Sequence, residues 1–224
     1  MSNTALTGAT AFVVPPHTPV IAVLRASTAD YFLDAARALY DGGIRSIEVT
    51  LTTPGALNAL SQLHSEFGED TFLGVGSITG VDDANRAIDA GAQYLVTASL
   101  RSDVIDLARA RSVPVVPGAL TPTEISTGWA AGATAVKVFP AGSVGGPAYI
   151  SAVRGPMAAI PLVPSGGVQI EDISAYLSAG AAAVGLGGPL IGDGLDAEGD
   201  RKALKERAAR ATDAARAAYA RRTQ

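Results

Sequence analysis

The chain has 224 residues, a formal net charge of −4, two histidines and no cysteine, with hydrophobic residues making up 48%. The missing thiols exclude a disulfide framework, a thiolate metal site and a cysteine nucleophile. The acidic balance argues against nucleic acid as a partner, because the phosphate backbone calls for a basic face.

Residues 1–18 read as an N-terminal segment ahead of a single domain spanning 19–224, a length that supports one substantial core. The segment has no basic region followed by an apolar run, so it does not read as a secretory signal. Gly, Pro or charged residues interrupt every apolar stretch before it reaches bilayer-spanning length. A cytoplasmic protein without membrane contact is expected. His17 and His64 are far apart in sequence and in unlike contexts, which speaks against a histidine metal cluster, and no metal is expected.

From residue 19 onward, short runs rich in Val, Ile and Leu alternate with alanine-rich helical segments. Strands are predicted at 19–24, 45–50, 71–76, 93–97, 113–117, 133–138, 161–164 and 182–187. The unbroken apolar runs VIAVL, VPVV and AVKVF suit parallel strands covered on both faces. Eight units in so short a chain favour closure into a single-domain α/β fold, a (β/α)8 TIM barrel, over an open doubly wound sheet. His64 falls on a predicted helix face with Leu60, Leu63 and Phe67, where it reads as a surface or packing residue rather than half of a Ser-His dyad. The stretch from Arg201 to Arg222, diluted by alanine, Glu206 and Asp213, reads as a terminal helix with a solvated face.

Glycine recurs where helices should end before the even-numbered strands: DGGIRSIEV, DAGAQYLVT, AAGATAVKV and SAGAAAVGL. Gly43, Gly91, Gly132 and Gly180 suit the left-handed position that closes a helix. If the four turns are alike, the fifth residue after each glycine sits at one height: Glu48, Val96, Lys137 and Gly185. Barrel interiors are filled by layers of four side chains from alternate strands. Glu48 and Lys137 would then face each other across a layer in which Val96 and Gly185 leave room for a small molecule. A slip of one residue would turn a side chain outward.

Lys137 is the sole lysine outside the terminal helix, which carries Lys202 and Lys205. It stands between two valines, where an ammonium group is costly unless paired or deprotonated. Burial favours the neutral amine, and that form attacks a ketone. Glu48, embedded in IEVT, is suited to general acid/base work. The competing reading of the pair is a structural one, a buried Lys-Glu contact that fixes register.

The runs PVIAVLR, GGIRSIEVTLTTPGAL, GVGS, PVVPGALTPTE, AVKVFPA, PSGGV and AVGLGG resemble the 2-keto-3-deoxy-6-phosphogluconate and 4-hydroxy-2-oxoglutarate aldolase family from about residue 19 to 192. The resemblance implies a trimeric (β/α)8 barrel, a class I aldolase that releases pyruvate and an aldehyde from a 2-keto acid, phosphorylated or not, without a cofactor. It assigns Lys137 as the Schiff-base lysine and Glu48 as the acid/base residue. Phe139, in AVKVFPA, joins the substrate-binding set. Ser77 ends GVGS where many relatives have threonine, keeping a hydroxyl for the pyruvate carboxylate or carbonyl oxygen. The G-x-G-x-x-x-G spacing of Gly74, Gly76 and Gly80 is not the dinucleotide fingerprint. Ser165, Gly166 and Gly167 match a hydroxyl and glycine pair near substrate oxygens, and Gly187 and Gly188 offer backbone N–H groups for a phosphate.

Two positions depart from the family pattern. Thr52 stands where some relatives carry an arginine for the pyruvate carboxylate, and Arg25 is the candidate replacement, with a surface ion pair as its alternative reading. Gly188 stands where relatives use a serine at the phosphate, and Pro189 beside it has no N–H. The phosphorylated substrate is therefore expected to keep a smaller advantage over 4-hydroxy-2-oxoglutarate. Rival readings are a sugar-phosphate isomerase or epimerase on the same barrel, since fold alone does not fix function, and a non-catalytic anion-binding barrel.

Overall fold

The computed structural model describes residues 14–15 and 18–222. His17 and nearly all of the N-terminal segment lie outside the described residues. Nine strands run in parallel register: β1 (Val20–Leu24), β2 (Ser46–Thr50), β3 (Phe72–Ile78), β4 (Tyr94–Thr97), β5 (Val115–Val116), β6 (Gly118–Ala119), β7 (Val136–Val138), β8 (Leu162–Pro164) and β9 (Val184–Leu186). The intervening helices are α1 (Phe32–Asp41), α2 (Ala56–Phe67), α3 (Val81–Asp89), α4 (Ser102–Ala110), α5 (Pro122–Ala130), α6 (Gly146–Arg154), α7 (Ile173–Ser178), α8 (Gly188–Ile191) and α9 (Arg201–Arg222). The fold is thus α/β, with a curled parallel sheet.

Six strands pair in the order β5-β4-β3-β2-β1-β9 and three in the order β6-β7-β8. Of the predicted fifth strand, 113–117, Val115–Val116 is observed as β5, and a second short piece, β6, follows beyond the predicted end on the other side of Pro117. Proline has no N–H to give to a ladder. Its carbonyl still accepts from the Lys137 N–H at 2.9 Å, so the chain path continues through the break. The three-stranded sheet meets β9 through a single bridge, Ser165 to Gly185, and through the Ala182 N–H donating to the Leu162 carbonyl at 2.8 Å.

The four repeated glycines have φ values of +94° (Gly43), +95° (Gly91), +100° (Gly132) and +98° (Gly180), a conformation that costs glycine little and other residues more. Their near identity means the strands that follow start in the same phase. Glu48 pairs through Gly74 with Tyr94, two residues before Val96. Val96 pairs with Val116, and Gly118 with Lys137, so Val116 is level with Ala135, two before Lys137. Lys137 pairs with Val163, which the Ser165–Gly185 bridge sets level with Ala183, two before Gly185. Gly185 pairs through Ile21 with Ser46, two before Glu48.

Outward strand residues such as Val136, Val138, Ile47 and Val49 pack with the helices in the larger core. A second, inner cluster holds Val14, Ile21, Tyr94, Val96, Val116, Ala135, Val163 and Ala183. α9 packs against α1, where a β-carbon on Gly42 would fall 2.4 Å from Ala208 Cβ; the Thr212 hydroxyl donates to the Gly42 carbonyl at 3.0 Å. His64 lies on α2, with Nε2 2.6 Å from the Gly91 carbonyl oxygen, a contact that ties a helix end to its neighbour. No helix among the described residues is long and apolar enough to cross a membrane.

Candidate active site

β7 carries Lys137 between two valines that face the helices, and the period-two alternation of a strand turns the lysine inward. Its side chain is 11% exposed, and Nζ lies 3.8 Å from Glu48 Oε1, whose side chain is 4% exposed. That separation exceeds a hydrogen bond, so the two groups face one another without being locked together. Nζ is also 5.5 Å from the centroid of the Phe139 ring, which is itself partly exposed at the strand end.

Two glycines of β3 make this geometry possible. A β-carbon on Gly76 would lie 1.8 Å from Glu48 Oε1, and one on Gly74 would lie 2.2 Å from the Tyr94 ring. The carboxylate from β2 and the phenol ring from β4 therefore occupy space that consecutive inward positions of β3 leave empty. Tyr94 is fully buried and its hydroxyl is 3.1 Å from Ser46 Oγ, one inward position below Glu48 on β2. Burial, and then the Glu48 charge, push the phenol well above its ordinary range, while the Ser46 hydrogen bond pulls the other way.

A cavity of about 400 Å³ opens over Lys137. Of the sequence-predicted residues, Arg25, Lys137, Phe139, Ser165, Gly166, Gly167, Gly187 and Gly188 line it. A β-carbon on Gly185 would come within 2.9 Å of Ser165 Oγ, so its absence leaves that hydroxyl its position at the wall. Glu48, Thr52 and Ser77 are not among the lining residues. Ser77 reaches the wall indirectly, because Arg25 Nη2 donates to its Oγ at 3.2 Å; its backbone is held at φ +60°, an unusual conformation for a residue with a side chain. Thr52 is exposed and donates to Thr50 Oγ1 at 3.2 Å. Thr50 in turn donates to the Leu24 carbonyl at 3.0 Å, so this threonine cluster ties the end of β2 to β1.

The far wall is one continuous stretch after β9, with Gly187, Gly188, Pro189, Ile191, Gly192, Leu195 and Asp196 on the cavity. Arg207 of α9 fixes this stretch from behind, with Nε donating to the Leu190 carbonyl at 2.8 Å and Nη2 to the Ile191 carbonyl at 2.7 Å. Among the described residues, no hydrogen bond to a backbone carbonyl engages the N–H groups of Gly166, Gly167, Gly187 or Gly188. No three His, Asp or Glu side chains among the described residues converge as metal ligands.

Sequence reasoning missed Tyr94, Ser46, the seating role of Gly74 and Gly76, and Asp196. The glycines did carry a signal, since positions two apart in a strand share a face. A buried tyrosine in an apolar run reads as ordinary core, and nothing local marks Asp196.

An inward amine beside a carboxylate, under a cavity lined by a hydroxyl and a guanidinium, can form an imine with a carbonyl substrate and move protons around it. The family model for KDPG and KHG aldolase matches residues 15–206. A 2-dehydro-3-deoxy-phosphogluconate aldolase from Treponema pallidum is 36% identical over 160 residues, 71% of this chain and 74% of the relative. A 2-dehydro-3-deoxy-6-phosphogalactonate aldolase from Escherichia coli is 33% identical over 181 residues, 80% of this chain and 88% of the relative. The structure of a KDPG aldolase from Legionella pneumophila, with pyruvate captured at low pH as a covalent carbinolamine intermediate, is 26% identical with a TM-score of 0.76, covering 93% of this chain and 96% of that one.

Proposed function

The chain belongs to the KDPG and KHG aldolase family and is a class I aldolase, a carbon–carbon lyase, and we propose that Lys137 is its Schiff-base residue and Glu48 its proton carrier. The observation that carries this reading is the apposition of the two side chains at 3.8 Å beneath the cavity. The Lys137 amine attacks C2 of a 4-hydroxy-2-keto acid, and the carbinolamine loses water to give an iminium. The C3–C4 bond then breaks as the C4 hydroxyl gives up its proton. The electron pair moves into the iminium as an enamine, and the aldehyde leaves. Protonation at C3 and hydrolysis release pyruvate. Glu48 is within reach of the nitrogen for the dehydration and protonation steps.

Arg25 and Ser77, joined by their hydrogen bond, suit the pyruvate carboxylate. Ser165 suits an oxygen next to the reacting carbons, Phe139 covers the imine, and the glycine N–H groups suit the oxygens of the tail. Thr52 acts at one remove, by holding the β2 loop in register. Substrates of this class are 2-keto-3-deoxy-6-phosphogluconate and 4-hydroxy-2-oxoglutarate.

The strands are further read as a closed eight-stranded barrel, β5 and β6 counting as one. The support is the stagger of two residues at each of the four steps Glu48, Val96, Lys137, Gly185 and back, which together make the shear of eight that such barrels have. By family resemblance the aldolase works in the cytoplasm as a homotrimer, which its mass in solution tests. The chemistry is tested by borohydride reduction with pyruvate: a stable mass increment should map to Lys137 and to neither Lys202 nor Lys205. An adduct on α9, or none, removes the mechanism.

A further inference from the structure

With the pyruvate half of the substrate held at Lys137, the stretch 187–196 is one of the cavity walls open to the tail beyond C4, beside Gly166 and Gly167. None of the residues of that wall that line the cavity is a lysine or arginine, and the Arg207 guanidinium lies behind it, turned to the Leu190 and Ile191 carbonyls. The cations on the cavity are Lys137, which becomes the imine, and Arg25, which donates to Ser77 and is assigned to the carboxylate. The tail wall has glycines at 187, 188 and 192, Pro189 without an N–H, and Asp196, an exposed residue at the cavity rim. Among the described residues no Lys or Arg side chain forms an ion pair with Asp196. Arg201 donates instead to its backbone carbonyl, at 2.9 Å. An unneutralised carboxylate beside a dianionic phosphate is a like-charge contact, whereas a carboxylate beside sugar hydroxyls is a strong hydrogen-bond acceptor.

We propose that Asp196 is a specificity-determining residue that turns the tail site toward an uncharged, polyhydroxylated chain, so that the preferred substrate is an unphosphorylated 2-keto-3-deoxy sugar acid. This rests on the Schiff-base reading above. It sets the chain apart from relatives named for phosphorylated substrates. The geometry also implies the direction of a single change: neutralising Asp196 removes the repulsion and one acceptor together.

The test is pyruvate release from 2-keto-3-deoxygluconate and its 6-phosphate, and from the galacto pair, by the full chain and by Asp196→Asn. The unaltered protein should have the higher kcat/KM on the unphosphorylated member of a pair. Asp196→Asn should shift the ratio toward the phosphate ester by about tenfold, chiefly through its KM. Glu198→Gln removes the same charge from an exposed position on the same loop, off the cavity, and should leave the ratio unchanged. Preference for the phosphate ester in the unaltered protein, or an equal ratio in Asp196→Asn, overturns the proposal. No pyruvate from either substrate together with no Lys137 adduct fails the underlying reading instead, and the proposal falls with it.

Discussion

Gly76 and Glu48 share one volume: the space a β-carbon on Gly76 would fill lies 1.8 Å from Glu48 Oε1 and 2.5 Å from its Cδ. The position of the carboxylate beside Lys137 is therefore set by an atom that the neighbouring strand lacks. Gly76→Ala should fold, because its φ is not in the left-handed range and the obstructing atoms end a flexible side chain. Displacing Glu48 should lower kcat by at least about two powers of ten while the pyruvate adduct on Lys137 still forms. Unchanged turnover in this variant would detach the Glu48 position from catalysis.

Glu48→Gln keeps the shape and removes the carboxyl group that could take up and release a proton. Schiff-base formation should persist in part, and turnover should fall by roughly two to four powers of ten. Single-turnover trapping beside steady-state rates separates the two effects, and near-normal turnover would reduce Glu48 to a partner for the ammonium charge.

Tyr94 gives the fold an alkaline limit. Its phenol is held above the ordinary value by burial first and the Glu48 charge second. Below the unfolded-state value of about 10 both states keep the proton and nothing changes. Above it the unfolded chain binds fewer protons than the folded one, so stability should fall by about 1.4 kcal/mol per pH unit from this group. Denaturant titrations at pH 9 to 11 should show a shallower decline in Tyr94→Phe, which also forfeits the Ser46 hydrogen bond, worth about 1 kcal/mol. Equal slopes for the two proteins would contradict the assignment.

Gly188 faces open space, with nothing within 4 Å of an added β-carbon. Gly188→Ser should therefore be accommodated and offer a hydroxyl to a phosphate tail. A hydrogen bond to a charged group is worth about 1.5 to 3 kcal/mol, so the phosphorylated gluconate substrate should show a KM lower by roughly one to two powers of ten relative to 4-hydroxy-2-oxoglutarate. An unchanged ratio would mean that backbone donors alone set whatever phosphate affinity exists.

Lys137 and Glu48 are legible in the sequence because a charged residue inside an apolar period-two run is conspicuous, and because the four glycines set a common phase that the φ values bear out. The fifth strand reads one segment short: Pro117 looks like a terminus, yet the chain resumes at Gly118, whose bare α-carbon lets the backbone pass close to Ala98. Gly74 and Gly76 fall inside the strand predicted at 71–76, as observed, but their part in seating Tyr94 and Glu48 depends on the neighbouring strands and not on the run itself. Asp196 is invisible, since its approach to the cavity depends on the path of the loop beyond α8 and not on any local pattern.

The clasp of Arg207 on the Leu190 and Ile191 carbonyls ties one wall of the cavity over Lys137 to a helix that lends no residue to the cavity lining. On the proposed reading, the electron sink belongs to the strands, and the surface offered to the aldehyde hangs from α9. Inheritance can therefore act on the two separately. On that reading, lengthening the 192–200 loop or loosening Arg207 should alter which aldehydes are accepted and leave bond cleavage at the lysine unchanged.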